Sequence, residues 1–124
     1  MGGGAPRPGV PVRGSSTGRP VMAALDLLGR RWTLRIVWEL SQAPGGFREL
    51  QRRCEHMSSS VLSTRLGELT ETRLVTLRED RYHLTQLGED LVGSLQPLFT
   101  WSRRWAGEVD AGPAEGSQRG DELK

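Results

Sequence analysis

Apolar residues recur with a helical period through most of this chain, and the places where the period breaks divide it into elements. In F-R-E-L-Q-R-R-C, Phe47, Leu50 and Cys54 share one face while Arg48, Arg52 and Arg53 point elsewhere, which predicts a half-buried helix ending near Glu55. Ser58, Ser59 and Ser60 follow, hydroxyl residues suited to N-capping because a side-chain oxygen can accept from an otherwise unpaired backbone N–H. A second helix is therefore expected from there, with Val61, Leu62, Leu66 and Leu69 apolar and Ser59, Ser60, Ser63, Thr64 and Arg65 facing outward. A generic solvated face would carry long charged residues. Small hydroxyls at the start of a helix instead let the backbone approach another surface and bond to phosphates or base edges.

The flanking segments complete the pattern. Val21, Ala24, Leu25 and Leu28 predict a first short helix ending near Gly29, and Trp32 to Ser41 a second, with Leu34, Val37, Trp38 and Leu40 apolar, before Pro44-Gly45-Gly46 breaks the chain. Residues 74–78 and 81–84 alternate as short strands joined at Glu79-Asp80, a hairpin that would form a wing. Thr85 is placed to cap a long last helix whose Leu87, Leu91, Leu95, Leu98, Trp101 and Trp105 recur in steps of three or four, with Pro97 expected to bend it. The succession predicts a mainly α (α+β) fold: a winged helix-turn-helix with a two-stranded wing and a long C-terminal helix.

Composition sets the boundaries. The 124 residues suffice for one domain with tails. Residues 1–19 hold too few apolar groups and too many Gly and Pro to order themselves and carry Arg7, Arg13 and Arg19 without an acid, so they are expected to form a disordered basic arm; 110–124 is read as a disordered tail and 20–109 as the domain. The net charge is only +2, but between Arg30 and Arg81 ten arginines face seven acids. That surplus favours nucleic acid only where the arginines share a face. Arg accounts for sixteen of the seventeen basic residues, which suits bidentate contact with phosphate and guanine. The lone cysteine, together with the lack of a signal peptide or a membrane-spanning apolar run, points to the cytoplasm and to no membrane role.

These residues also carry a family resemblance. P-V-M-A-A-L-D-L-L-G-R-R-W-T-L-R-I-V-W-E-L, followed by F-R-E-L, S-x-x-x-L-S-x-R-L-x-E-L and Y-x-L-T-x-L-G, resembles the HxlR family of bacterial winged helix-turn-helix transcription regulators over residues 20 to 105. The resemblance implies a homodimer that binds double-stranded DNA at an inverted-repeat operator, as repressor or activator, with the first and last helices at the dimer interface. By position it makes Ser59 to Thr70 the recognition helix, centres the wing on Arg78 to Arg81, and makes Gly29 to Thr33 the basic turn. The expected DNA-binding set is Arg30, Arg31, Trp32, Thr33, Arg48, Ser58, Ser59, Ser60, Ser63, Thr64, Arg65, Arg78 and Arg81; the expected dimerisation set is Leu91, Leu95, Leu98, Trp101 and Trp105.

The chain departs from the family at informative places. Many relatives have a cysteine just before the proline that opens the first helix, and in some it senses electrophiles or oxidants; here Arg19 precedes Pro20. Cys54 lies on the apolar Phe47-Leu50 face, where a buried inert thiol is expected. Cys54-x-His56 is too small a set for zinc, with His83 far along the chain, and no phosphate loop, nucleophile elbow or carboxylate pair is recognisable, so no metal, cofactor or enzymatic activity is expected. Any small-molecule effector stays unidentified. The competing function is a winged-helix module whose arginines serve an acidic protein partner, but such a docking helix should expose a large apolar anchor, and this one offers Ser, Thr and Arg.

Overall fold

The computed structural model describes residues 4–11 and 18–111. Seven elements follow one another: α1 (Pro20–Leu28), α2 (Thr33–Gln42), α3 (Phe47–Arg53), α4 (Ser59–Glu71), β1 (Val75–Arg78), β2 (Arg81–Leu84) and α5 (Gln86–Ala111). This is the expected winged helix-turn-helix, and no helix among the described residues is long and apolar enough to cross a membrane. Two compact units, Met1–Val92 and Gly93–Lys124, divide inside α5.

In the first unit, Leu27, Ile36, Val37, Leu40, Leu50, Leu62, Leu66, Leu69 and Val75 form the buried core, with Cys54 and Met57 filling the α3-to-α4 corner. That corner is fixed locally at both ends. The N–H of His56 bonds to the Gln51 carbonyl at 2.7 Å and that of Glu55 to Arg52 at 3.1 Å, with Glu55 and His56 both in left-handed conformation. Ser58 then caps α4 by accepting from the Val61 N–H at 3.2 Å, while Met57 and Leu62 lie together in the core as a hydrophobic staple. The other end of α4 closes on Arg73 (φ 69), whose neighbour Leu74 donates its N–H to Leu69 at 3.0 Å.

β1 and β2 pair antiparallel with Arg78 opposite Arg81, and Glu79 (φ 52) and Asp80 (φ 63) make the two-residue turn. Positive φ at both central positions gives the primed turn whose twist matches the flanking strands. Near its turn the hairpin is tied to the loop before α3: Gly45 and Tyr82 exchange backbone bonds at 3.2 and 2.7 Å. Thr85 caps α5 as expected, its hydroxyl accepting from the Gly88 N–H at 3.0 Å.

Three features differ from the expectation. In α1 the buried residues are Ala23 and Leu27, whereas Val21 and Leu25 stay 59% and 60% exposed, so the helix carries apolar groups on two faces and its core face lies out of phase with the predicted stripe. Leu91, expected at a dimer seam, packs against the core of its own unit. Part of the expected arm is placed: Ala5 is buried, Arg7 lies 3.8 Å from Glu71, and the Gly9 N–H donates to the Gly18 carbonyl at 2.7 Å. The rest of the arm, residues 1–3 and 12–17, and 112–124 of the tail lie outside the described residues.

Candidate nucleic-acid interface

The outward face of α4 follows from how its inward face is packed. Burial of Leu62, Leu66 and Leu69 leaves Ser59, Ser60, Ser63, Thr64 and Gly67 exposed, a run of small residues over two turns. A Cβ added at Gly67 would meet nothing within 4 Å. Gly67 was not among the expected site residues, although its place four residues after Ser63 and three after Thr64 puts it on the same face. Ser58 is exposed beside them, and its hydroxyl oxygen serves as the cap of the helix.

The basic turn before α2 lies next to α4. Its backbone is held in an uncommon conformation, since Trp32 takes φ 77, a left-handed value that a bulky residue adopts only when its surroundings impose it. Those surroundings are on hand. Trp32 packs against the core, the Arg31 guanidinium lies 5.6 Å from the indole centroid, and Arg65 donates its Nε–H to the Arg31 carbonyl at 2.7 Å. Thr33 does not reach the surface: it is completely buried and its hydroxyl has no hydrogen-bond partner. The expected place of Thr33 in the DNA-binding set is corrected as far as its side chain goes, because the first residue of α2 turns into the core and leaves Arg31 exposed beside it.

The arginines separate into two groups. Arg30 and Arg65 both pair with Glu68, which is only 8% exposed, at 2.7 and 3.2 Å, and Arg30 also reaches Asp26 at 3.2 Å. Arg65 therefore does not point out as the sequence pattern suggested; the carboxylate one turn along, itself buried, draws it back. Arg35 and Arg53 converge on Glu39 at 2.9 and 3.5 Å, and Arg53 also donates to the carbonyls of Glu39 and Ala43, so this second group of charges fastens α3 to α2. Arg81, expected on DNA from the wing, bonds the Pro44 carbonyl at 3.0 Å and lies 3.7 Å from Glu49. Arg31, Arg48, Arg52, Arg73 and Arg78 form no ion pair among the described residues. Arg52 and Arg73, outside the expected DNA-binding set, are exposed as well. At the wing tip, Arg78 stands next to the acidic Glu79-Asp80 pair.

Cys54 is fully buried, and the loss of solvation there pushes its thiol pKa up, against a smaller opposing pull from the positive charge of Arg35. Thiolate is the reactive form, so both access and ionisation oppose oxidation. Peroxide or diamide is expected neither to cross-link the protein nor to change its affinity for DNA. A non-reducing gel run beside a gel shift checks this, and a disulfide-linked band accompanied by lost binding would overturn it.

A short, N-capped helix face of hydroxyls and glycine, a strained basic turn against it and a two-stranded hairpin at its flank define a winged helix-turn-helix DNA-binding protein. Residues 27–110 match the model of the HxlR-like helix-turn-helix family, and the chain belongs to that family. Two similar proteins of Bacillus subtilis are HTH-type transcriptional regulators: YvaP, 32% identical over 66% of this chain and 82% of its own, and YodB, 30% identical over 64% and 78%. The quinone-bound crystal structure of YodB superposes with a TM-score of 0.59 at 31% identity, covering 71% of this chain and 96% of that one. The protein is thus a transcriptional regulator of helix-turn-helix type, and its relatives are DNA-binding proteins rather than enzymes.

Proposed function

We propose that this regulator acts as a homodimer that places two α4 helices in successive major grooves of an inverted-repeat operator and thereby represses or activates the adjoining genes. The observation that carries the reading is the outward face of α4: Ser59, Ser60, Ser63, Thr64 and Gly67 offer hydroxyls and bare backbone where a protein-docking helix would offer a large apolar anchor. Arg31 and Arg48, exposed and without an ion pair among the described residues, are suited to the phosphates on either side. Dimerisation is supported by Leu98, Trp101, Trp105 and Val109, a stripe along α5 that stays 45–61% exposed in a single chain, and by the second apolar face of α1. YodB has been crystallised with a quinone. Here the lone cysteine is buried, which supports regulation by something other than thiol chemistry.

The test is a titration of the purified protein against the DNA upstream of its own gene and against random duplex, over a range of salt. Arg31→Gln and Arg48→Gln are expected to weaken binding to both DNAs alike and each to lower the slope of log affinity against log salt by about one unit. Thr64→Ala should weaken only the upstream DNA, by about 1 to 3 kcal/mol, the worth of one base contact. Equal affinity of the native protein for both DNAs would rule out operator recognition, and slopes that do not move would take the two arginines out of the interface.

A further inference from the structure

Glu68 lies on α4 one residue past the exposed Gly67, yet its side chain faces inward and is 10% exposed. Each oxygen holds one guanidinium: Oε2 accepts from Arg30 at 2.7 Å and Oε1 from Arg65 at 3.2 Å. The free sides of those two arginines are occupied as well. Arg30 donates to Asp26 at 3.2 Å, and Arg65 donates to the Arg31 carbonyl at 2.7 Å. Two carboxylates and two guanidiniums, side chains 10–23% exposed, make a neutral cluster wedged between α1, the basic turn and α4. We propose that Glu68 restrains sequence-independent DNA binding by withholding Arg30 and Arg65 from the phosphates, a role that rests on the DNA-binding reading of α4 given above.

The geometry places both arginines among residues assigned to DNA. Arg30 precedes the exposed Arg31, and Arg65 follows the exposed Thr64. Swinging either one out would leave a buried carboxylate partly unpaired, a larger loss than a salt-screened phosphate contact returns. The pairs therefore persist when DNA is present. Every arginine free to meet phosphate multiplies affinity for all sequences equally, so each one withheld lowers the burden of random DNA on the regulator. The same cluster keeps the turn and α4 in register, because Arg65 grips the backbone of Arg31 while Glu68 grips Arg65.

The test uses the full chain, a random-sequence duplex, and fluorescence anisotropy over a series of salt concentrations. Glu68→Gln keeps the size of the side chain and one acceptor but removes the charge that holds the two guanidiniums. It is expected to steepen the salt slope by about one to two units and to raise affinity at about 0.1 M salt roughly fivefold to tenfold for each arginine released. Adding Arg30→Gln and Arg65→Gln to Glu68→Gln should return the slope to the native value. A merely structural Glu68 gives the opposite signature: weaker binding at an unchanged slope, not restored in the triple variant, and that result overturns the proposal. If Glu68→Gln does not fold, Arg65→Gln alone decides, since a native slope upholds the withheld arginine and a slope lower by about one unit refutes it. A native protein that binds no duplex refutes the DNA-binding reading itself, and this role with it. A native protein that binds duplex while Glu68→Gln leaves the slope unmoved refutes this role alone.

Discussion

Replacing Leu98 and Trp101 together by aspartate is expected to produce a monomer whose operator affinity falls by at least a hundredfold. Leu98 and Trp101 are 45% and 47% exposed in a single chain, and Trp101 stacks on Trp105 with centroids 5.6 Å apart and planes 6° from parallel. An exposed aromatic pair continued by Leu98 and Val109 at helical spacing is an apolar surface with no solvation to recommend it. Burying a large side chain contributes about 1.5 to 3 kcal/mol, so two residues from each of two protomers contribute roughly 6 to 12 kcal/mol to a shared interface. Two carboxylates per chain remove that term and add the desolvation of charge. A dimer holding two half-sites gains from both, and a monomer must bind each on its own. Sedimentation velocity at micromolar concentration, beside a gel shift, reads both consequences. A double variant that sediments and binds like the native protein would remove α5 from the assembly.

Gly88→Ala is expected to destabilise the first unit by about 3 kcal/mol, which for a domain of this size lowers the melting temperature by roughly 10 to 20 °C. A Cβ at this position would stand 2.2 Å from the carbonyl oxygen of Leu74 and 3.1 Å from Cδ2 of Leu84. The first obstacle is backbone and cannot rotate away. That same carbonyl accepts from the Thr85 N–H at 3.0 Å, and Thr85 caps α5 through the Gly88 N–H, so pushing the helix off β1 disturbs the cap together with the strand end. Thermal unfolding followed by circular dichroism checks the prediction. A shift of less than about 3 °C would mean that the start of α5 yields far more readily than its contacts imply.

The sequence made the order of elements legible because each boundary has a local cause. Ser58 caps α4, Thr85 caps α5, Pro44-Gly45-Gly46 breaks the chain ahead of α3, and alternation marks β1 and β2. What stayed hidden depends on long separations in the chain. Arg30 and Glu68 are 38 residues apart and Arg65 meets the Arg31 carbonyl across 34, so no spacing rule could show that the arginines nearest the recognition face are turned inward. Within this cluster, spacing rules reach the Arg65-Glu68 pair at i+3 and the Asp26-Arg30 pair at i+4, but not the contacts that join α4 to the turn. In α1 the failure was one of phase. With Val21 and Leu25 on one side and Ala23 and Leu27 on the other, an apolar count cannot tell which face meets the core of its own chain. Thr33 differs for a related reason, since its position in the basic turn places it in the DNA-binding set, while packing that no local pattern shows buries its side chain.

Under the proposed reading of α4, the brevity of its side chains governs how much information the regulator can draw from an operator. Serine and threonine hydroxyls both donate and accept, so Ser60, Ser63 and Thr64 in a major groove would discriminate among base edges less sharply than the bidentate arginine–guanine or glutamine–adenine pairings would. With Arg65 drawn back to Glu68, the exposed side chains of residues 59–67 are all short. Bridging water and the local stiffness of the duplex then carry a larger share of the choice. Base changes that the protein never touches, such as a flexible pyrimidine–purine step exchanged for a rigid A-tract between the two proposed half-sites, would then be as consequential as changes under the helix itself.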